Sequence, residues 1–319
     1  MGRIAVTGSV AYDTIMVFPG HFGDHILSGQ THIINVSFQV TTIERRYGGT
    51  AANVCYTMAL LGERPLLCAG VGNADFDEYA GHLERVGVET SSALRCQDVG
   101  TAAAFITTDL DNNQITAFYA GAMSHAAGVD LSALADISDV VVGADSADAM
   151  ALHIHQARAM GARLTFAPAQ QIPSLPDATL RDGLDSAWLV VGNDYEMEMI
   201  RKRLGIDANA LRNRCVVAVT HGSEGSDLYT RDGILRIPAS DVSGVIDPTG
   251  AGDAYSAGLL TGLRAGLLLE DAGRLAAVAA AFVVESRGPQ GHRFSRPEFR
   301  QRFQASTGAD LADSVLSVR

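Results

Sequence analysis

The sequence predicts an α/β fold, a doubly wound and mostly parallel sheet flanked by helices, with a small β-sheet lid over it. Three observations carry that expectation. From Ser138 onward, short apolar runs alternate with helical segments, the pattern of a parallel sheet covered on both faces. Two β-prone stretches, about 14–46 and 97–120, interrupt the βα rhythm of the first half. The ends of the regular strands carry clusters of polar residues and glycine, where open sheets collect ligand groups.

In chain order, residues 4–7 read as a buried strand that ends in Gly8-Ser9-Val10-Ala11-Tyr12-Asp13, placing Asp13 just past its end. Residues 31–40 alternate as a strand does, and a hairpin is expected over 101–118, with its turn at Asp111-Asn112-Asn113. Between these, Tyr47-Gly48-Gly49-Thr50-Ala51-Ala52-Asn53 opens a helix over 54–61; its glycines allow close backbone approach by a ligand. Residues 66–71 read as a strand. The following Gly70-Val71-Gly72-Asn73-Ala74-Asp75 lacks the third glycine and the later acidic residue of a dinucleotide site. Strands are expected at 140–143, 163–167, 187–192 and 216–220, and a long Ala-rich helix at 267–286. The tail after Pro297 reads as an exposed terminal helix. His153 and His155 are two apart, so they face different sides of a helix, and Trp188 reads as core.

Two strand ends hold candidate ligand groups. Asn193 and Glu196, at i and i+3, share a helix face and suit a hydrated Mg²⁺; the same pair also reads as an N-cap with an exposed glutamate. Thr220-x-Gly222-x-x-Gly225 offers a hydroxyl and bare backbone to a phosphate or ribose. The most pointed stretch is Asp247-Pro248-Thr249-Gly250-Ala251-Gly252-Asp253, after an apolar run at 242–246 and at the start of a small-residue helix reaching about Ala265. Glycines at a helix start leave N–H groups bare, and with the helix dipole they form an anion site. Asp253, in the first turn, reads either as a capping charge or as a base beside that site.

Composition narrows the chemistry. The 319 residues, 47% hydrophobic and 19% charged, suffice for one large domain spanning 1–319 with an inserted lid. A formal charge of −12 argues against a nucleic-acid or anionic-membrane surface. No run of eighteen apolar residues occurs, and the N-terminus enters a strand at once. Cys55, Cys68, Cys96 and Cys215 are widely spaced, as reduced thiols of a cytoplasmic protein would be. Lys202 is the only lysine. A Walker A loop and the protein-kinase strand lysine are thereby excluded, so nucleotide phosphates must be met by backbone dipoles, a metal or arginine.

Taken together, the Gly48-Gly49-x-Ala51-x-Asn53 and Asp247-x-Thr249-Gly250-Ala251-Gly252-Asp253 segments, with Asn193-x-x-Glu196 and Thr220-x-Gly222-x-x-Gly225, fall in one order over about the whole chain. In this the sequence resembles the ribokinase-like, or phosphofructokinase-B (PfkB), sugar and nucleoside kinases. The resemblance implies ATP-dependent phosphorylation with Asp253 as base and the N–H groups of Gly250, Ala251, Gly252 and Asp253 as an anion hole. It implies that Asp13, Asn53 and the Gly48-Gly49 backbone grip the acceptor. Asn193 and Glu196 would organise Mg²⁺ through water, Thr220, Gly222 and Gly225 would meet the nucleotide, and K⁺ would sit near Asp247 and Thr249, sharing carbonyls with the 286–288 loop.

For the acceptor, the stretches holding Ser9 and Ser37, the hairpin through Phe118, and Gly121-Ala122-Met123 are similar to bacterial nucleoside kinases of adenosine-kinase type. Phe118 would stack on a base, with Gln170 or Gln171 at its edge. Two departures stand out: Ala104 where a second base-clamping aromatic is expected, and Ala167 where an aspartate is usual. The first favours a roomy pocket taking adenosine, inosine, guanosine or cytidine at the 5′-hydroxyl. A sugar kinase of the same fold is the alternative, and a non-catalytic nucleoside-binding protein the reading from another class. Exposed lid edges predict a lid-to-lid homodimer.

Overall fold

The computed structural model describes residues 2–25, 36–111, 113–311 and 313–316. Its first strand, Arg3–Thr7 (β1), lies inside the main sheet rather than at its rim. Ala11–Val17 (β2) and Thr42–Gly48 (β3) follow, then the helix Thr50–Leu60 (α1) and the strand Leu66–Cys68 (β4). The short strands Gly70–Gly72 (β5) and Leu94–Cys96 (β6) pair in parallel around the helix Asp77–Glu84 (α2). The hairpin Ala102–Thr108 (β7) and Gln114–Tyr119 (β8) completes the irregular first half. Regular alternation follows: Ile137–Val142 (β9), Ala147–Ala159 (α3), Arg163–Phe166 (β10), Asp177–Ser186 (α4), Leu189–Asn193 (β11), Asp194–Leu204 (α5), Ala208–Leu211 (α6), Val216–Thr220 (β12). The hairpin Ser226–Thr230 (β13) and Gly233–Ile237 (β14) then precedes three helices, Ala251–Arg264 (α7), Leu269–Val284 (α8) and Arg296–Thr307 (α9).

The main sheet has the order β14-β13-β12-β11-β10-β9-β1-β4, parallel except for its β12-β13-β14 edge. Strand alternation divides the apolar side chains between two cores. Ile4, Val6, Val141, Leu189 and Val191 face one side with residues of α1, α2, α7 and α8. Ala5, Val140, Val142 and Val190 face the other, with residues of α3 to α6. A doubly wound sheet with helices on both faces is therefore the observed fold.

Several elements differ from expectation. The hairpin β13–β14 carries its own turn signal in Asp232-Gly233, which the sequence reading passed over. The stretch 66–71 is two strands in two sheets. The strand expected at 31–40 is not a strand over 36–40, and 26–35 lie outside the described residues; the lid strand on that side is β3. The terminal helix α9 is not merely exposed: Phe299 and Phe303 are buried in a cluster with Leu61, Leu275 and Val278. Trp188 is half-buried at the core's edge, with the Arg163 guanidinium 4.7 Å over its ring.

The lid is a four-stranded sheet, β3-β2-β7-β8. Its register creates one transverse row, Arg46–Asp13–Ala104–Phe118, because Arg46 pairs with Asp13, Asp13 with Ala104, and Ala104 with Phe118. Direct partners in a sheet share a face, so these four side chains share one side of the lid. Asp13 thus belongs to a lid strand, not to the loop after β1.

Candidate active site

A cavity of about 600 Å³ lies between that lid row and the C-terminal ends of β1, β9, β11 and β12. Its lining includes Ser9, Asp13, Gly49, Asn53, Phe118, Gln170, Gln171, Asn193, Glu196, Thr220, Thr249, Gly250, Gly252 and Asp253. Ligand sites of this size and position are expected in open α/β sheets.

The floor is the start of α7. Gly250 caps it at φ +83°, and an added Cβ would come within 2.3 Å of the Pro289 Cβ, so no other residue fits there. At Gly252 an added Cβ would meet nothing within 4 Å, which leaves open space above the backbone. Of the four N–H groups expected to form an anion hole, that of Ala251 turns back to the Pro248 carbonyl at 3.2 Å. Those of Gly250, Gly252 and Asp253 make no hydrogen bond within the described residues, and the helix dipole favours an anion there.

The Asp253 carboxylate accepts a hydrogen bond from Asn53 Nδ2 at 2.8 Å. Burial pushes its pKa up to about 7; the Asn53 bond opposes the rise and the nearby Glu196 charge adds to it. A carboxyl titrating there is suited to act as a base at neutral pH. Asn53 was expected to hold the acceptor, but both ends of its amide are engaged. Its Oδ1 accepts from Gln290 Nε2 at 2.9 Å, and the same nitrogen donates to the Tyr79 hydroxyl at 2.6 Å. Tyr79 in turn donates to the Gly48 carbonyl at 2.7 Å. A buried relay therefore fixes the Asn53 amide orientation and, through it, Asp253. Gln290 and Tyr79 escaped the sequence reading because neither sits in a motif and their meeting depends on the tertiary fold.

Gly48 and Gly49 serve packing. A Cβ on Gly48 would lie 2.5 Å from Asp13 Oδ2, and one on Gly49, at φ +95°, would lie 2.5 Å from the Ser9 carbonyl. Ser9 Oγ accepts from the Thr50 N–H at 3.0 Å, satisfying one bare donor of α1. Asp13 is raised to about 6 by burial, against the Arg46 charge and with help from Asp247. Phe118 is 55% exposed although it faces the cavity, and its row partner Ala104 is small. Gln170 and Gln171 reach the lining from a turn that holds Ala169 at φ +45°. Ser37 is exposed and does not line the cavity.

The structure shows the capping reading of Asn193 and Glu196, though the glutamate is not exposed. They form a reciprocal capping box: Asn193 Oδ1 accepts from the Glu196 N–H at 2.8 Å, and Glu196 Oε2 accepts from the Asn193 N–H at 3.0 Å. Yet Glu196 is half-buried against the cavity, where burial raises its pKa. A half-buried carboxylate within electrostatic reach of Asp253 fits a hydrated Mg²⁺, which binds through water and substrate phosphates more than through a protein cage. Thr220 lines the cavity, but Gly222 and Gly225 do not. Gly225, at φ +93°, makes the tight turn into β13, where a Cβ would meet the Ile237 carbonyl at 2.1 Å.

The surroundings of Asp247 do not suit a monovalent cation. Its carboxylate accepts from the Thr249 N–H at 3.0 Å, the Gly288 N–H at 3.0 Å and Arg46 Nη1 at 2.9 Å. Burial pushes this carboxyl up, but those donors and the arginine charge outweigh it and hold it below its ordinary range. The 286–288 loop turns the Gly288 N–H toward it.

A model of the pfkB family of carbohydrate kinases matches residues 1–293. The nucleoside kinase of Methanothermobacter thermautotrophicus is 34% identical over 291 residues, covering 86% of this chain and 90% of that protein. The nucleoside kinase of Burkholderia thailandensis, solved with inosine, superposes with a TM-score of 0.87 at 36% identity over 97% of this chain and 99% of that one. The Methanocaldococcus jannaschii nucleoside kinase gives a TM-score of 0.85 at 28% identity, covering 96% and 99%. The chain therefore belongs to the pfkB family of carbohydrate kinases and is a phosphotransferase with an alcohol acceptor.

Proposed function

We propose that this kinase moves the γ-phosphoryl group of ATP to the 5′-hydroxyl of a ribonucleoside. The observation that carries the reading is Asp253 beside the bare start of α7, at the base of a cavity whose opposite wall bears Phe118. Asp253, ionised above about pH 7, takes the hydroxyl proton as the oxygen attacks phosphorus. The bond from the γ-phosphorus to its bridging oxygen breaks, and ADP leaves. The N–H groups of Gly250, Gly252 and Asp253 meet the charge on the moving phosphoryl group. Asn53 does not touch the acceptor in this scheme; it aims the base.

Asp13 holds ribose hydroxyls from the lid. Phe118 stacks on the base, and Ala104 beside it leaves room for more than one purine or for cytosine. Gln170 and Gln171 offer donors and acceptors to the base edge. Thr220 lies where it can meet the nucleotide, and Asn193 with Glu196 would hold Mg²⁺ through water. That ion supplies charge neutralisation on the ATP phosphates when bound.

The nucleoside acceptor is supported by three relatives that are themselves nucleoside kinases, one solved with inosine and also with ADP-inosine. No helix among the described residues is long and apolar enough to cross a membrane, and we place the reaction in the cytoplasm. A lid-to-lid homodimer is the expected assembly. By register, the lid face opposite Ala104 carries Ile43, Phe105, Ile115 and Tyr119, all exposed, an apolar surface that a second copy would cover. An ADP-release assay over adenosine, inosine, guanosine, cytidine, ribose, fructose and fructose 6-phosphate tests the function. Higher kcat/KM on a sugar than on every nucleoside refutes it.

A further inference from the structure

Arg46 belongs to none of the sequence motifs, yet it occupies a structurally central place. It comes from lid strand β3 and is mostly buried, with 18% of its side chain exposed. One guanidinium nitrogen, Nη1, donates to Asp247 Oδ2 at 2.9 Å, and the other, Nη2, to Glu44 at 2.8 Å. The stem lies so close over the 287–289 turn that a Cβ on Gly288 would be 3.0 Å from the Arg46 Cδ. That turn continues into Pro289, which packs on Gly250 at the cap of α7. Asp247 lies on the other flank of the same cap, bonded to both Thr249 and Gly288. One side chain thus touches both loops that set the anion hole, its guanidinium on Asp247 and its stem on the 287–289 turn.

We propose that Arg46 is a built-in cation: its guanidinium does for the Asp247 and Gly288 loops what a bound monovalent ion would otherwise have to do, so turnover needs no K⁺. Arg46 acts through the hole's geometry and is a positioning residue. Because it rides on the lid, the hole is fully set only when β3 is seated against the main domain. The inference rests on the kinase reading of the site, and the salt arms below separate the two: loss of the kinase reading would show as no nucleoside turnover in any salt.

The test compares KCl, NaCl and choline chloride at equal ionic strength, with ATP free of potassium. The wild-type kcat is expected to be the same in all three. Arg46→Ala should lose about a hundredfold in kcat in choline, the order that a small misplacement of reacting groups costs. K⁺ or millimolar guanidinium should restore much of it, and K⁺ should raise the melting temperature of the variant but not of the wild type. Arg46→Lys, which keeps a cation, should stay active in choline. A wild type that stalls in choline and recovers with K⁺ overturns the proposal without any variant. So does an Arg46→Ala whose loss lies in KM for ATP and ignores K⁺, since that marks a phosphate contact.

Discussion

Replacing Asp253 with asparagine should make the protein inactive and, at alkaline pH, more stable. The carboxyl titrates near 7 in the fold, against an ordinary 3.8, because burial disfavours its charged form. Folding therefore favours the protonated group. Its stabilising contribution is complete below about pH 4 and declines as the pH climbs toward 7. Above that, the ionised group carries the full cost: about three pH units at 1.36 kcal/mol each, or about 4 kcal/mol as an upper figure. An asparagine keeps an oxygen for Asn53 Nδ2 and bears no charge. For 319 residues an unfolding entropy of about 0.7 kcal/mol/K turns 4 kcal/mol into a melting temperature roughly 6 °C higher. Scanning calorimetry at about pH 8 should show that rise, and at about pH 4 it should vanish. In parallel, kcat should fall by about 10² to 10⁴, with nucleoside binding still measurable by calorimetric titration. A melting temperature unchanged at the higher pH would refute the raised carboxyl; retained turnover would refute the base.

Other expectations follow from the same geometry. In the wild type, kcat should rise with pH through about 7 as Asp253 ionises; removing the Asn53 hydrogen bond, which opposes that raised pKa, with Asn53→Ala should move this limb to higher pH, and an unmoved limb would detach Asn53 from the base. Phe118→Ala should raise KM for nucleosides by about tenfold, one ring–ring contact of roughly 1–1.5 kcal/mol, while KM for ATP stays put; equal loss on both substrates would speak against base stacking. Gly250→Ala places a Cβ 2.3 Å from Pro289 in a left-handed backbone and should cost about 1–3 kcal/mol of stability, read from urea midpoints. Light scattering should return twice the chain mass, and Phe105→Glu on the outer lid face should return the single mass; a wild-type monomer would remove the lid-to-lid assembly.

The main sheet was legible because buried parallel strands read as apolar runs: 140–143, 163–167 and 216–220 lie within about three residues of β9, β10 and β12. The glycine-opened helices were legible for a similar local reason, since Gly49 and Gly250 both hold left-handed backbone that other residues resist. Asp13 was read as lying just past β1 because only three residues separate β1 from β2, and so short a link does not show that the chain has changed sheets. Asn53 was legible as a cavity residue from its motif, but an amide has two ends and the sequence does not say what meets them; Gln290, 237 residues away, takes one of them. Arg46 was invisible for the opposite reason: a single arginine in a polar strand has no spacing to read, and its meaning comes only from Asp247, 201 positions on. At residues 193–196 the cap was legible because its two bonds span only three positions; that Glu196 is half-buried rather than exposed depends on the cavity it lines.

The position of β1 between β9 and β4 has a consequence for synthesis on the ribosome. Strand β1 emerges before both its neighbours and cannot be flanked on both sides until residues near 140 have followed. The base and its relay wait longer: Asn53 is made early, whereas Asp253 and Gln290 lie in the final quarter of the chain, and α9 must still cover Leu61 and Leu275. Domains tend to fold as units while the chain emerges from its N-terminus. A nascent chain of this protein therefore holds half of a substrate pocket and none of its chemistry. Competence waits until residues 253 and 290 have been made.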